Sequence, residues 1–299
     1  MPHETGPHIT IRRPRDAEGP ACRMLLPEDR PGGAARTFLV AAQEGAPTIL
    51  GAACFRGAAN ALHSVRLRVI RTHRGQGIGT RLLEAVMAEA RAHGLRALIT
   101  RVDAKAEPDA LRFLDRHGFI QRGRLWVVEA DAQRVYDHLI PLRQRLLAAR
   151  GMPEGISILK FAEAPQQEVA RLYAEHIAGH PTLQPELILD AMSNQRVDAS
   201  PVLMVGGRAE GVLLWSLEGV VAHALAWVVT PGHRDTYASP LLLAQAVQDA
   251  CAAGARRVRF EFADNNRNTA RVARRYTADT LRVLDRFVLD LGPVSPAGA

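Results

Sequence analysis

Three glycines at alternate positions, Gly75, Gly77 and Gly79, follow Arg74 in the stretch "RVIRTHRGQGIGTRLLEAV". A strand-like apolar run ends just before them and a helical pattern starts just after. Such a junction is an anion site. The first N–H groups of a helix have no acceptor within the helix, and the helix dipole adds partial positive charge there. Glycines let the backbone come close to a phosphate without a Cβ in the way. Arg74 brings a fixed cation with several donors. The spacing is not a dinucleotide fingerprint, because Thr80 stands where that motif needs its last glycine. It is not a Walker loop either, since no Gly-Lys-Ser/Thr follows.

The elements around the loop can be read from period and punctuation. "ITIRRP" is an opening strand and "DAEGPACRMLLPE" a short helix. "TFLVAAQE" and "TILGAACFRG" alternate around a Gly-Ala-Pro turn as a hairpin, and "ALHSVRLRVI" is the strand that feeds the loop. Ile78, Leu82, Leu83, Val86 and Ala90 share one helical face over about 77–93, and Gly94 is placed as its C-cap. "LRALITRV", "EPDALRFLDRHG" and "GRLWVVEA" read as strand, helix and strand. The stretch 131–150 reads as an amphipathic interdomain brace helix, kinked or interrupted at Pro141.

"GMPEG", 151–155, is the linker candidate, and after it the pattern restarts. The two halves align without gaps at an offset of 160: Arg74 on Arg234, His63 on His223, Val69 on Val229, Leu82 on Leu242 and Gly94 on Gly254. A match that spans strand, loop and helix is read as an internal duplication. The expected domains are 1–150 and 151–299.

"VIRTHRGQGIGTRLLEAV" resembles the acetyl-CoA signature of the GCN5-related N-acetyltransferase (GNAT) superfamily, Arg/Gln-x-x-Gly-x-Gly/Ala, filled here by Arg74, Gly77 and Gly79. "ALRFLDRHGF" resembles the family's next helix and its closing Gly-Phe. The resemblance covers residues 8 to 130, and the second half looks like a diverged copy. It implies an α/β (α+β) fold of two tandem domains, each a mixed, mostly antiparallel sheet flanked by helices. It further implies an N-acetyltransferase with acetyl-CoA as cosubstrate and a small-molecule or peptide amine as acceptor. Gly75, Gln76, Gly77, Ile78, Gly79 and Thr80, with Arg74, would hold the CoA diphosphate. The strand around Leu67 and Val69 would take the pantetheine arm. The amine would attack the thioester directly, entering near His63 and Asp103.

An amine with a pKa near ~10 is only about 0.1% neutral at pH 7, so a base helps. The family often has a glutamate base eleven residues before the signature Arg/Gln, and His63 holds that place here. The family's tyrosine acid is replaced by Leu114 and its cofactor-side asparagine by Glu107. All four tyrosines, Tyr136, Tyr173, Tyr237 and Tyr276, lie beyond residue 130. Tyr136 or a second-domain tyrosine reaching over, or no tyrosine acid at all, stay open as alternatives. A non-catalytic acyl-CoA-binding or regulatory module is the competing reading. In the second copy, Tyr237 and Ser239 replace two of the glycines and Asp235 adds negative charge, so a structural or substrate-shaping role is expected there.

The totals fit this picture. The chain has 299 residues, 47% of them hydrophobic, enough for two cores. Its formal net charge of +7 suits an anionic small ligand, and 5% aromatics argue against stacking platforms for nucleic acid. Cys22, Cys54 and Cys251 are far apart and have no zinc-like pairing. His176 and His180 lack a third ligand, so no metal is expected. The basic, Asn-rich stretch 263–276 is read as a solvated loop and helix face. No run is long enough to span a membrane, and a cytoplasmic setting is expected. Assembly as a homodimer stays open.

Overall fold

A computed structural model describes residues 9–26, 36–45, 48–56, 63–150, 155–178, 189, 197–234 and 236–292. The chain divides into two compact units. One comprises Met1–Arg101, Arg112–Gln121 and Phe287–Ala299; the other comprises Val102–Leu111 and Arg122–Arg286.

In the first unit, β1 (Ile9–Arg12), β2 (Arg36–Gln43), β3 (Ile49–Arg56) and β4 (His63–Val69) pair antiparallel in chain order. β5 (Ala97–Val102) then joins β4 in parallel. Alternation along β3 sends its two sets of side chains to opposite faces. Ala52 and Cys54 pack with Cys22 and Leu26 at the short helix α1 (Gly19–Leu25). Gly51 meets the other helix, α2 (Ile78–Ala92): a Cβ there would lie 3.1 Å from Leu82 Cδ1. The five apolar positions expected on the buried face of α2 are its buried residues. Each fully buried aliphatic side chain contributes about 1.5–3 kcal/mol, which fixes the helix on the sheet. Gly94 ends α2 with φ +73°, and Leu95 N–H returns to Ala90 O at 3.0 Å, as a left-handed C-cap requires. Ahead of α1, Glu18 accepts two 2.7 Å bonds from Arg12 and one from Arg15 N–H, which push its carboxyl down to about 2.

In the second unit, β7 (Ile156–Lys160), β8 (Pro201–Val205), β9 (Arg208–Glu218) and β10 (Val221–Val229) are antiparallel. β11 (Arg257–Ala263) pairs in parallel with β10. α5 (Gln166–Tyr173) covers one face through Val169, Ala170 and Leu172. α6 (Ala238–Ala252) covers the other, where a Cβ on Gly211 would come within 2.8 Å of Leu242 Cδ1. Both Gly211 and Leu242 stand 160 residues after their first-unit counterparts, as do both ends of α6 relative to α2. The duplication is therefore one of packing as well as of sequence. Between α3 (Pro108–Arg116) and α7 (Arg267–Arg275) the offset has slipped by one residue.

The units do not follow a cut at the linker. β6 (Ile120–Asp131) pairs antiparallel with β11 from Leu125↔Ala263 to Asp131↔Arg257. Most of β6 and all of α4 (Ala132–Arg150), expected in the first domain, thus belong to the second unit. In return, Phe287–Asp290, the end of β12 (Asp279–Asp290), adds a strand beside β5 in the first unit, and Leu291 N–H donates to Arg96 O at 2.9 Å. α4 packs Val135 and Leu139 against Ala244 and Val247 of α6. That second partner explains why α6 is apolar nearly all round. α4 runs through Pro141 as one helix, so of the expected kink or interruption the interruption does not occur; proline removes a single N–H, and packing on α6 holds the two turns together. The proposed linker residues 151–154 lie outside the described residues.

Candidate active site

β4 carries the chain into the glycine loop. Ile70 N–H is bonded to Leu50 O at 2.9 Å, and a single 3-10 turn, Arg71–His73, follows. Arg74 is extended and exposed, and its Nε donates to Val69 O at 3.2 Å. This bond holds the base of the guanidinium against the strand end. Gly75 and Gly77 have φ of +79° and +77°, and a Cβ on either would meet nothing within 4 Å. Conformation, not space, requires glycine there.

Gly79 is the opposite case, because its Cβ would come 3.2 Å from Phe113 Cε2 and 3.7 Å from Leu67 Cδ2. Gly77 is the N-cap of α2 and no side chain caps that end. Ile78 is buried, while Arg74, Gly75, Gln76 and Gly77 are exposed, so the backbone at the mouth faces solvent. Thr80 Oγ1 lies 3.1 Å from His117 Nε2.

The strand side is equally specific. β4 pairs with β3 from Val65↔Phe55 to Val69↔Gly51, which includes Leu67↔Ala53. Its parallel ladder to β5 has two pairs, His63↔Leu98 and Ser64↔Ile99. From Val65 onward β4 has no registered partner on β5. Leu67 and Val69 therefore lie where an extended ligand can pair with the strand. The backbone of His63 opens this ladder; its side chain lies outside the described residues. Asp103 Oδ1 accepts Lys105 N–H at 3.0 Å and Ala106 N–H at 3.2 Å, which turns that carboxylate onto its own loop. Leu114, at the tyrosine place, is buried.

The second unit keeps the scaffold and changes the mouth. β10 and β11 share three parallel pairs, with a bulge in β10 between Ala224 and Ala226. The helix start differs. Tyr237 caps α6 in the right-handed region, φ −64°. Ala238 N–H is taken by Thr236 Oγ1 at 3.2 Å, and Pro240 has no N–H to give. Asp235 and the Arg234 side chain lie outside the described residues.

The acetyltransferase (GNAT) family profile matches residues 10–119, which contain the loop, both flanking strands and the closing Gly-Phe. This segment, about a third of the chain, is a GNAT-family match. Solved GNAT structures share the fold along nearly the whole chain. A GCN5-related N-acetyltransferase from Sphaerobacter thermophilus is 18% identical, with TM-score 0.66 over 95% of this chain and 96% of that one. A tandem GNAT protein from the clavulanic acid biosynthesis pathway is 16% identical, with TM-score 0.64 over 96% of this chain and 100% of the other. An N-acetyltransferase region of a fungal multi-domain β-N-acetylglucosaminidase reaches TM-score 0.71 at 13% identity, over 94% of this chain and 38% of that one. No curated protein sequence matches. The GNAT fold is therefore present twice, and the family's chemistry is acyl transfer from acyl-CoA.

Two side-chain arrangements, one at the site and one in the second unit, carry no mark in the sequence. The Thr80–His117 contact joins residues 37 apart, and no local pattern announces it. In the second unit, Glu129 on β6 bridges Arg257 Nε and Arg259 Nε, both at 2.9 Å. Burial alone would raise the Glu129 carboxyl, but the bonds and charges of the two arginines outweigh it and hold it below the usual carboxylate range. Among the described residues no helix is long and apolar enough to cross a membrane, and no cluster of ligating side chains could hold a metal.

Proposed function

We propose that the protein is a cytoplasmic N-acetyltransferase that moves the acetyl group of acetyl-CoA to a primary amine by direct attack in a ternary complex. One observation carries this reading: an uncapped helix start with a left-handed glycine directly follows a strand whose outer edge leaves its neighbour after two pairs. Diphosphate on the α2 amides and pantetheine along Leu67–Val69 would bring the thioester to the point where β4 and β5 part. The amine nitrogen attacks the thioester carbonyl, the carbon–sulfur bond breaks, and CoA leaves as the thiolate. A thiolate whose conjugate acid has a pKa near ~8.5 can depart without a strong acid, which suits the leucine at position 114. His63, on β4 at the start of the ladder, is the proposed base. The second unit, with its helix start closed by Thr236 and Pro240, is assigned a structural or substrate-shaping role.

A second reading, acyl-CoA binding without turnover, is favoured by Leu114 and by the lack of any tyrosine in the first unit's sequence. Thiol release over a panel of amines separates the two. Turnover with at least one amine is expected, and His63→Ala should lower kcat by about 100-fold with CoA affinity retained. Full rate in His63→Ala removes His63 from the mechanism. CoA binding with no turnover on any amine supports the second reading.

A further inference from the structure

Beside the α2 cradle lies a side-chain pair outside the glycine signature. Thr80 is in the first turn of α2, and its Oγ1 is 3.1 Å from His117 Nε2. The His117 ring is held in place. It lies against Phe113 with ring centroids 4.5 Å apart, and the backbone N–H of His117 closes α3 with bonds to Phe113 O and Leu114 O. Phe113 is also the side chain packed over Gly79. Histidine, phenylalanine and threonine thus form one contiguous support behind the loop.

A hydroxyl has one proton, and its neighbour decides where that proton goes. If Nε2 accepts, the Thr80 proton is spent on the ring and Oγ1 presents only lone pairs, which repel an anion. If Nε2 carries a proton and donates, the hydroxyl proton can turn to a phosphate oxygen. A bound diphosphate selects the second arrangement. We propose that His117 is a positioning residue: it donates from Nε2 to Thr80 Oγ1, so that the Thr80 hydroxyl donates to the CoA diphosphate.

This inference rests on the acyl-CoA reading above. The duplicated half supports it. The counterpart of Thr80 is Pro240, and Tyr276 closes α7 where His117 closes α3. The following turn is the same in both, Phe119 N–H to Leu114 O and Ala278 N–H to Ala273 O, each 3.0 Å. Both members of the pair are absent from the copy whose helix start is closed.

The test is calorimetric titration of CoA into wild type, Thr80→Val, His117→Leu, His117→Gln and the Thr80→Val/His117→Leu double variant. Kinetics with acetyl-CoA and with S-acetylpantetheine, which lacks the diphosphate, run alongside. Thr80→Val and His117→Leu should each weaken CoA about tenfold, and the double variant should be no weaker than the worse single. His117→Gln keeps an amide donor and should stay within about threefold of wild type. The kcat/KM ratio of acetyl-CoA over S-acetylpantetheine should fall about tenfold in His117→Leu. His117→Phe preserves the ring volume and substitutes if leucine disturbs α3. Wild-type affinity in His117→Leu, additive losses, or equal losses on both thioesters overturn the inference. Absence of CoA binding by wild type overturns the acyl-CoA reading and this inference with it.

Discussion

Gly75 and Gly77 are needed for their backbone angles, and Gly79 for the space that Phe113 occupies. The difference gives a prediction. Gly77→Val forces a β-branched residue to φ +77°, where an L-residue costs roughly 1–2 kcal/mol, and turns the N-cap away from its present geometry. CoA affinity should fall at least tenfold while thermal stability drops by only a few degrees, read by titration and by thermal melts. Retained affinity would mean that the loop's left-handed turn is not what binds. At this scale much was legible in the sequence, because glycine at a strand–helix junction has few physical reasons to exist. The Thr80–His117 contact was not legible: two polar residues on different helices carry no period or spacing that links them.

At the scale of elements, one charged cluster holds the exchanged strand β6 to β11. Glu129 is nearly buried and its two arginines are about one-third exposed. Glu129→Gln should destabilise the protein by about 2 kcal/mol, because charge-assisted bonds are weakened and two arginines lose their counter-ion. Denaturant melts against pH check the sign. The folded carboxyl lies below its ordinary value of 4.5, so its stabilisation is full above that value and fades as pH falls through the lowered folded value. The variant should show less loss over that window; identical acid profiles would contradict the assignment. The face of α2 was readable from Ile78, Leu82, Leu83, Val86 and Ala90 alone, since helical period and burial coincide there. The passage of β6 into the second unit was not readable. A strand's pattern says which face is apolar and leaves its neighbour unstated. Pro141 does not interrupt α4 for a related reason, because packing of α4 on α6 outweighs a local helix breaker.

For the whole molecule, duplication followed by divergence is the organising fact. The offset of 160 carries strands, helices and the Gly51–Leu82 and Gly211–Leu242 contacts from one half to the other, yet the helix start is open in the first and closed in the second. Two GNAT folds should therefore offer one CoA site. The direct measurement is the stoichiometry of CoA binding to the full chain by calorimetry, with wild type beside Gly77→Val. The account predicts one CoA per chain in wild type, with that binding lost or weakened at least tenfold in the variant. Two CoA per chain, or a single site indifferent to position 77, would contradict it.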